Sequence, residues 1–103
     1  MERSGDGWQG RVYGQAPVQG TGIVDGLPWY FRAKHDEWSF VLAGSPSADP
    51  LEVGASESGW SAGEPYGGRF EASYMPESVA WEFIEQCIAK HRRGELRPAL
   101  SQP

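Results

Sequence analysis

His35-Asp36-Glu37 is the densest run of side chains that could ligate a metal or move a proton. A zinc or non-haem iron centre needs further ligands from elsewhere in the chain. The other histidine, His91, falls near the end of a predicted helix, so a two-histidine site joining turn and helix is the metal arrangement on offer. The plainer reading is a solvated turn, and no metal or cofactor is expected. Cys87 falls on the apolar stripe of the same helix, where a thiol is ordinarily inert packing. Gly5-Asp6-Gly7-Trp8-Gln9-Gly10 matches G-x-G-x-x-G, but nucleotide binding by that pattern needs a strand before it and a helix after it. Here four residues precede it and a strand pattern follows. Gly54-Ala55-Ser56-Glu57-Ser58-Gly59 is not a nucleophile elbow. Carboxylate pairs of the glycosidase kind could be picked from any acidic chain. No catalytic residue is assigned, and the chain does not read as an enzyme.

The chemistry that the residues do favour is recognition. The stretch Glu57-Ser58-Gly59-Trp60 and, after it, Glu64-Pro65-Tyr66 sets aromatics among carboxylates. Trp and Tyr are the side chains that most often anchor protein interfaces. Flanking carboxylates suit a basic target. With Asp36 and Glu37 from the turn, the candidate partner-binding residues are Glu57, Trp60, Glu64, Tyr66, Asp36 and Glu37. The competing reading folds Trp60 back over the core.

Charge points the same way. The 103 residues carry 9 basic and 14 acidic side chains, a net charge of −5. Residues 76–103 hold four of each sign, so the excess acidity lies before them. An acidic body disfavours non-specific nucleic-acid binding, which runs on phosphate neutralisation, and steers basic partners inward. Tyr30, Arg32 and Lys34 share one strand face and combine an aromatic with cations, as single-strand binders do. They lack the glycine-aromatic signature of an RNA-recognition sheet. The expectation is a solvated face with both cations paired to carboxylates, and direct nucleic-acid binding is not expected.

These groups must be positioned by elements. Residues 27–44 read as a β-hairpin with its turn at His35-Asp36-Glu37. Strand alternation puts Leu27, Trp29, Phe31 and Ala33 on one face with Trp38, Phe40 and Leu42 opposite them. Residues 7–13 and Thr21–Asp25 read as further strands, the latter leading into a tight turn at Asp25-Gly26. Residues 44–68 are rich in glycine, proline and serine and read as a long acidic loop, with short strands at Leu51–Val53 and Glu57–Ala62. Arg69–Tyr74 alternates and reads as a last strand with Phe70, Ala72 and Tyr74 on one face. Residues 76–93 read as an amphipathic helix: Val79, Ala80, Phe83, Ile84, Cys87, Ile88 and His91 form its stripe, and Trp81 sits at the margin, half covered.

The fold class is therefore α+β: an antiparallel sheet of about four or five strands, built on the hairpin and crossed by one C-terminal helix. Residues 1–94 form one domain and residues 95–103 a loose tail. The polar N-terminus carries no signal-peptide pattern, no apolar run reaches membrane-spanning length, and one cysteine suits a reducing cytoplasm. The functional expectation is a small acidic, non-enzymatic protein that binds and modulates or inhibits another protein. That protein would be basic and nucleic-acid-handling. Phage anti-defence proteins of the anti-CRISPR type and toxin-immunity proteins are of that size and charge. The rivals are a small-ligand or carbohydrate-binding domain using exposed aromatics, and a metal-dependent enzyme centred on His35. Pro28 and Trp81 leave room for a homodimer.

Overall fold

The structure, a computed structural model, describes residues 1–99. Seven strands follow one another as an antiparallel meander: β1 (Glu2–Gly5), β2 (Trp8–Tyr13), β3 (Val18–Val24), β4 (Leu27–Lys34), β5 (Glu37–Ala43), β6 (Gly59–Pro65) and β7 (Arg97–Ala99). One helix, α1 (Glu77–Arg92), crosses the sheet. The α+β class stands, but the strands among the described residues number seven rather than four or five.

The central hairpin has the faces its alternation predicts. Trp29, Phe31 and Ala33 are buried on β4, and Trp38, Phe40 and Leu42 on β5. They face one another in register, Trp29 opposite Leu42, Phe31 opposite Phe40 and Ala33 opposite Trp38. Glu37 is the first residue of β5, opposite Lys34, so the turn contracts to His35-Asp36. The β3–β4 turn is Asp25-Gly26, with φ of 51° and 79°. Two successive positive φ values match the twist of a tight hairpin, and glycine adopts them without steric cost.

Helix α1 lays Ala80, Trp81, Ile84, Cys87 and Ile88 on this face. Trp38 stacks on Phe83 at 4.7 Å between ring centroids, and Trp29 on Phe40 at 5.7 Å. Trp81, expected at the margin, is wholly buried between Trp8 and Trp29. The indole N–H groups of Trp29 and Trp38 find no acceptor among the described residues. Such an orphan costs about 1–3 kcal/mol. Burying an indole returns roughly 4–6 kcal/mol at ~25 cal/mol per Å², so packing wins.

Several weakly patterned segments differ from expectation. The strand expected at Thr21–Asp25 begins earlier, at Val18, and ends at Val24, leaving Asp25 in the turn. Leu51–Val53 is not a strand, since Pro50–Glu52 forms a 3-10 turn capped by the Asp49 side chain. Gly59–Pro65 is a full strand paired along β5. Arg69–Tyr74 is a turn ending in a 3-10 helix at Ala72–Tyr74. Arg97–Ala99, read as tail, pairs with β6, whereas residues 100–103 of that tail lie outside the described residues. No helix among the described residues is long and apolar enough to cross a membrane.

The end of α1 is clamped to the β3–β4 turn. Arg92 Nη2 donates to Asp25 Oδ1 at 3.0 Å and to the Asp6 carbonyl at 2.6 Å, and His91 Nε2 lies 3.1 Å from Asp25 Oδ2. The hydrogen bond from Arg92, then its charge and that of His91, hold the Asp25 carboxyl below its usual 3.8. A carboxyl lowered in the folded state stabilises above its unfolded pKa and loses that contribution as pH falls through the folded one. Asp25→Asn is therefore expected to lower the urea midpoint at pH 7. The gap from wild type should close as pH falls below 3.8. Midpoints that differ equally at pH 7 and pH 3 would refute this.

Candidate interaction site

After β6 the chain reverses through Tyr66–Met75 and is tied to the sheet end by its backbone. Tyr66 N–H donates to the Asp36 carbonyl at 2.7 Å, and Ala72 N–H to the His35 carbonyl at 2.9 Å. Ser73 is buried and joins three segments: its Oγ accepts from His35 N–H at 2.8 Å and its carbonyl from Ala16 N–H at 2.7 Å. With its backbone so held, the segment presents Phe70 and Tyr74 outward, 48% and 61% exposed. Phe70 sits at φ 67°, a conformation that costs a bulky residue energy and persists only where its surroundings impose it. The His35 ring meets Phe70 edge-on at 5.6 Å, and the Arg69 guanidinium lies 5.1 Å over the Phe70 ring. Tyr66 is half-buried, edge-on to Phe83 at 5.9 Å. A hollow of about 510 Å³ opens between Tyr66, Phe70, Tyr74, Arg69, Glu71 and Pro76.

Four of the residues expected to bind a partner converge on this end. Register puts Glu37 opposite Pro65 and Trp38 opposite Glu64, which brings Asp36, Glu37, Glu64 and Tyr66 together. Asp36, Glu37, Glu64 and Glu71 are exposed at this end of the sheet: Glu71 lines the aromatic hollow with Arg69, Glu37 lines one with Arg32 and Lys34, and Glu64 one with Lys90. Glu57 and Trp60 do not join them. Trp60 lies at the other end of β6, half-buried at the core margin with its ring 6.2 Å from His91. Glu57 is held in the 44–58 loop by backbone hydrogen bonds to Glu52 and Gly54.

Phe70 and Tyr74 are the members that strand alternation missed, since it placed them on one face with Ala72. Ala72 is buried, but the 3-10 turn swings the other two outward. Gly67-Gly68 before the segment and Pro76 after it were the available signals, because both interrupt a strand.

The catalytic alternatives find their residues apart. His35 and His91 sit at opposite ends of β4, eight residues or about 26 Å of strand. No group of three or more metal-ligating side chains occurs among the described residues. Burial pushes the Cys87 thiol up to about 12, so it stays protonated at neutral pH. Gly5–Gly10 is the β1–β2 hairpin, turning at Asp6-Gly7, and not a phosphate loop. No family model, no curated protein and no solved structure matches this chain, so the case for its function rests on its own surfaces.

Proposed function

We propose that this is a non-enzymatic binding protein that modulates or inhibits another protein through the Phe70–Tyr74 end. In size and charge it is like the small acidic inhibitors of the anti-defence and immunity type. The observation that carries the reading is a pair of exposed aromatics on a backbone tied at Ala16, His35 and Asp36. A pre-ordered anchor binds without the entropy cost of ordering it. Aromatics at the centre of a patch and charges at its rim are the usual anatomy of an interface. The carboxylate rim suits a partner with a basic, nucleic-acid-binding surface. In affinity capture from the native cell, wild-type protein is expected to retain a partner that Phe70→Ala/Tyr74→Ala releases. The loss should be roughly 30-fold in affinity. Leu51→Ala, an exposed apolar position elsewhere, should leave capture intact. A partner held equally by the double variant would sink the reading.

A second reading is favoured by the hollow between Tyr66, Phe70 and Tyr74, where Arg69 and Glu71 could hydrogen-bond a sugar stacked on the rings. It predicts saturable shifts of these residues with soluble glycans and no retained protein.

A further inference from the structure

Helix α1 covers one face of the sheet, and the 44–58 loop covers only one end of the other. Val53 Cγ1 stands 3.2 Å from where a Cβ on Gly59 would lie, which places that loop over Ala43 and Gly59. The rest of this second face is open. Register arrays it in rows. Tyr13, Gln19, Arg32 and Ser39 form one, and Arg11, Thr21, Tyr30 and Val41 the next.

We infer that this open face binds single-stranded nucleic acid, with bases on Tyr13 and Tyr30 and phosphates on Arg11, Arg32 and Lys34.

Three observations carry the inference. First, in a chain with more carboxylates than cations, these cations remain without a salt bridge among the described residues. The expected pairing of Arg32 and Lys34 does not occur, although Glu37 stands opposite Lys34 and Glu2 opposite Arg11. Arg3, Arg92 and Arg93 are each held by a carboxylate, of Glu85, Asp25 and Glu95, while Arg69, Lys90 and Arg97 elsewhere also have no salt bridge among the described residues. Second, the aromatics are pre-set. Tyr30 donates its hydroxyl to Gln19 Oε1 at 2.9 Å, and the Arg11 guanidinium lies 4.7 Å over the Tyr13 ring. The rings stand on β2 and β4, two strand spacings or about 10 Å apart, a gap that a few nucleotides cross. Third, the face holds two hollows, one of about 660 Å³ lined by Glu2, Gln9, Arg11, Thr21 and Ile23, and one of about 300 Å³ lined by Arg32, Lys34, Glu37 and Ser39.

The face itself carries more cations than carboxylates, Arg11, Arg32 and Lys34 against Glu2 and Glu37. Stacking rings interleaved with cations favour a nucleic acid over an acidic polypeptide, which has phosphate-like charge but no bases.

The test is fluorescence polarisation with labelled 15-mers of dT and rU. Binding is expected, with a logarithmic salt slope of roughly −2 for three phosphate contacts. Arg32→Ala/Lys34→Ala should weaken it about tenfold or more and flatten the slope. Tyr13→Leu/Tyr30→Leu should weaken it by about tenfold or more at unchanged slope, while Tyr30→Phe retains it. Circular dichroism melts confirm that each variant is folded. Phe70→Ala/Tyr74→Ala, which removes the protein-binding anchors, should bind the 15-mers as wild type does. No binding at 50 mM salt overturns the inference. So does binding unmoved by the sheet variants, equal binding of a duplex, or equal binding of polyglutamate.

Discussion

Trp81→Ala should remove a large share of the protein's stability at 25 °C. Trp81 is fully buried, T-shaped to Trp29 at 6.0 Å and tilted on Trp8 at 5.6 Å. Its Nε1 donates to the Met1 carbonyl at 3.1 Å, so the indole also secures the start of the chain. Removing a large buried aromatic costs about 3–5 kcal/mol. A domain of this size has about 5–15 kcal/mol in total. Trp81→Phe keeps most of the volume and loses the hydrogen bond, so it should cost about half as much. Urea denaturation followed by circular dichroism reads both variants. A loss near 1 kcal/mol for the alanine would mean that the helix–sheet contact is not centred on this residue.

Gly22→Ala should be nearly as damaging, for the opposite reason. A Cβ there would collide with the Gln9 carbonyl oxygen, and it would come within 2.5 Å of Trp29 Cζ2 and 2.7 Å of Gly10 Cα. Gln9 lies opposite Ile23 in the β2–β3 ladder, and Trp29 is packed on all sides, so neither can yield cheaply. Overpacking of this kind costs about 1–3 kcal/mol and sometimes more. We expect about 3 kcal/mol, against less than ~1 kcal/mol for Gly26→Asn. Gly26 has nothing within 4 Å, and its turn conformation is one that asparagine tolerates. Equal midpoints for the two variants would show that β2 and β3 separate freely, contrary to their pairing.

Both effects come from one arrangement. The benzo ring of Trp29 occupies the space that side chains at Gly10, Gly20 and Gly22 of β2 and β3 would fill. The missing side chains on those strands are what let so large a ring enter the core. Composition shows many glycines and many tryptophans, but not that one accommodates the other.

What the sequence determined was burial wherever a period ran long enough. The alternation of Leu27–Lys34 and Glu37–Ala43 and the 3.6-residue stripe of Glu77–Arg92 each repeat over two or more cycles. Hydrophobic transfer alone then orients the element. What only the tertiary structure decided was membership at the margins. Glu2–Gly5 and Arg97–Ala99 carry no apolar period and become strands because β2 and β6 offer them unpaired backbone groups. Phe70 and Tyr74 point outward because His35, Ala16 and Asp36 claim the backbone of their segment. The open face keeps cations without a salt bridge although register, which no local pattern encodes, sets Glu2 opposite Arg11 and Glu37 opposite Lys34; only Arg32 has Ser39 and Gln19 beside it instead. Periodicity speaks for a residue's own strand or helix, whereas edges, exposed anchors and unpaired charges belong to contacts between segments far apart in the chain.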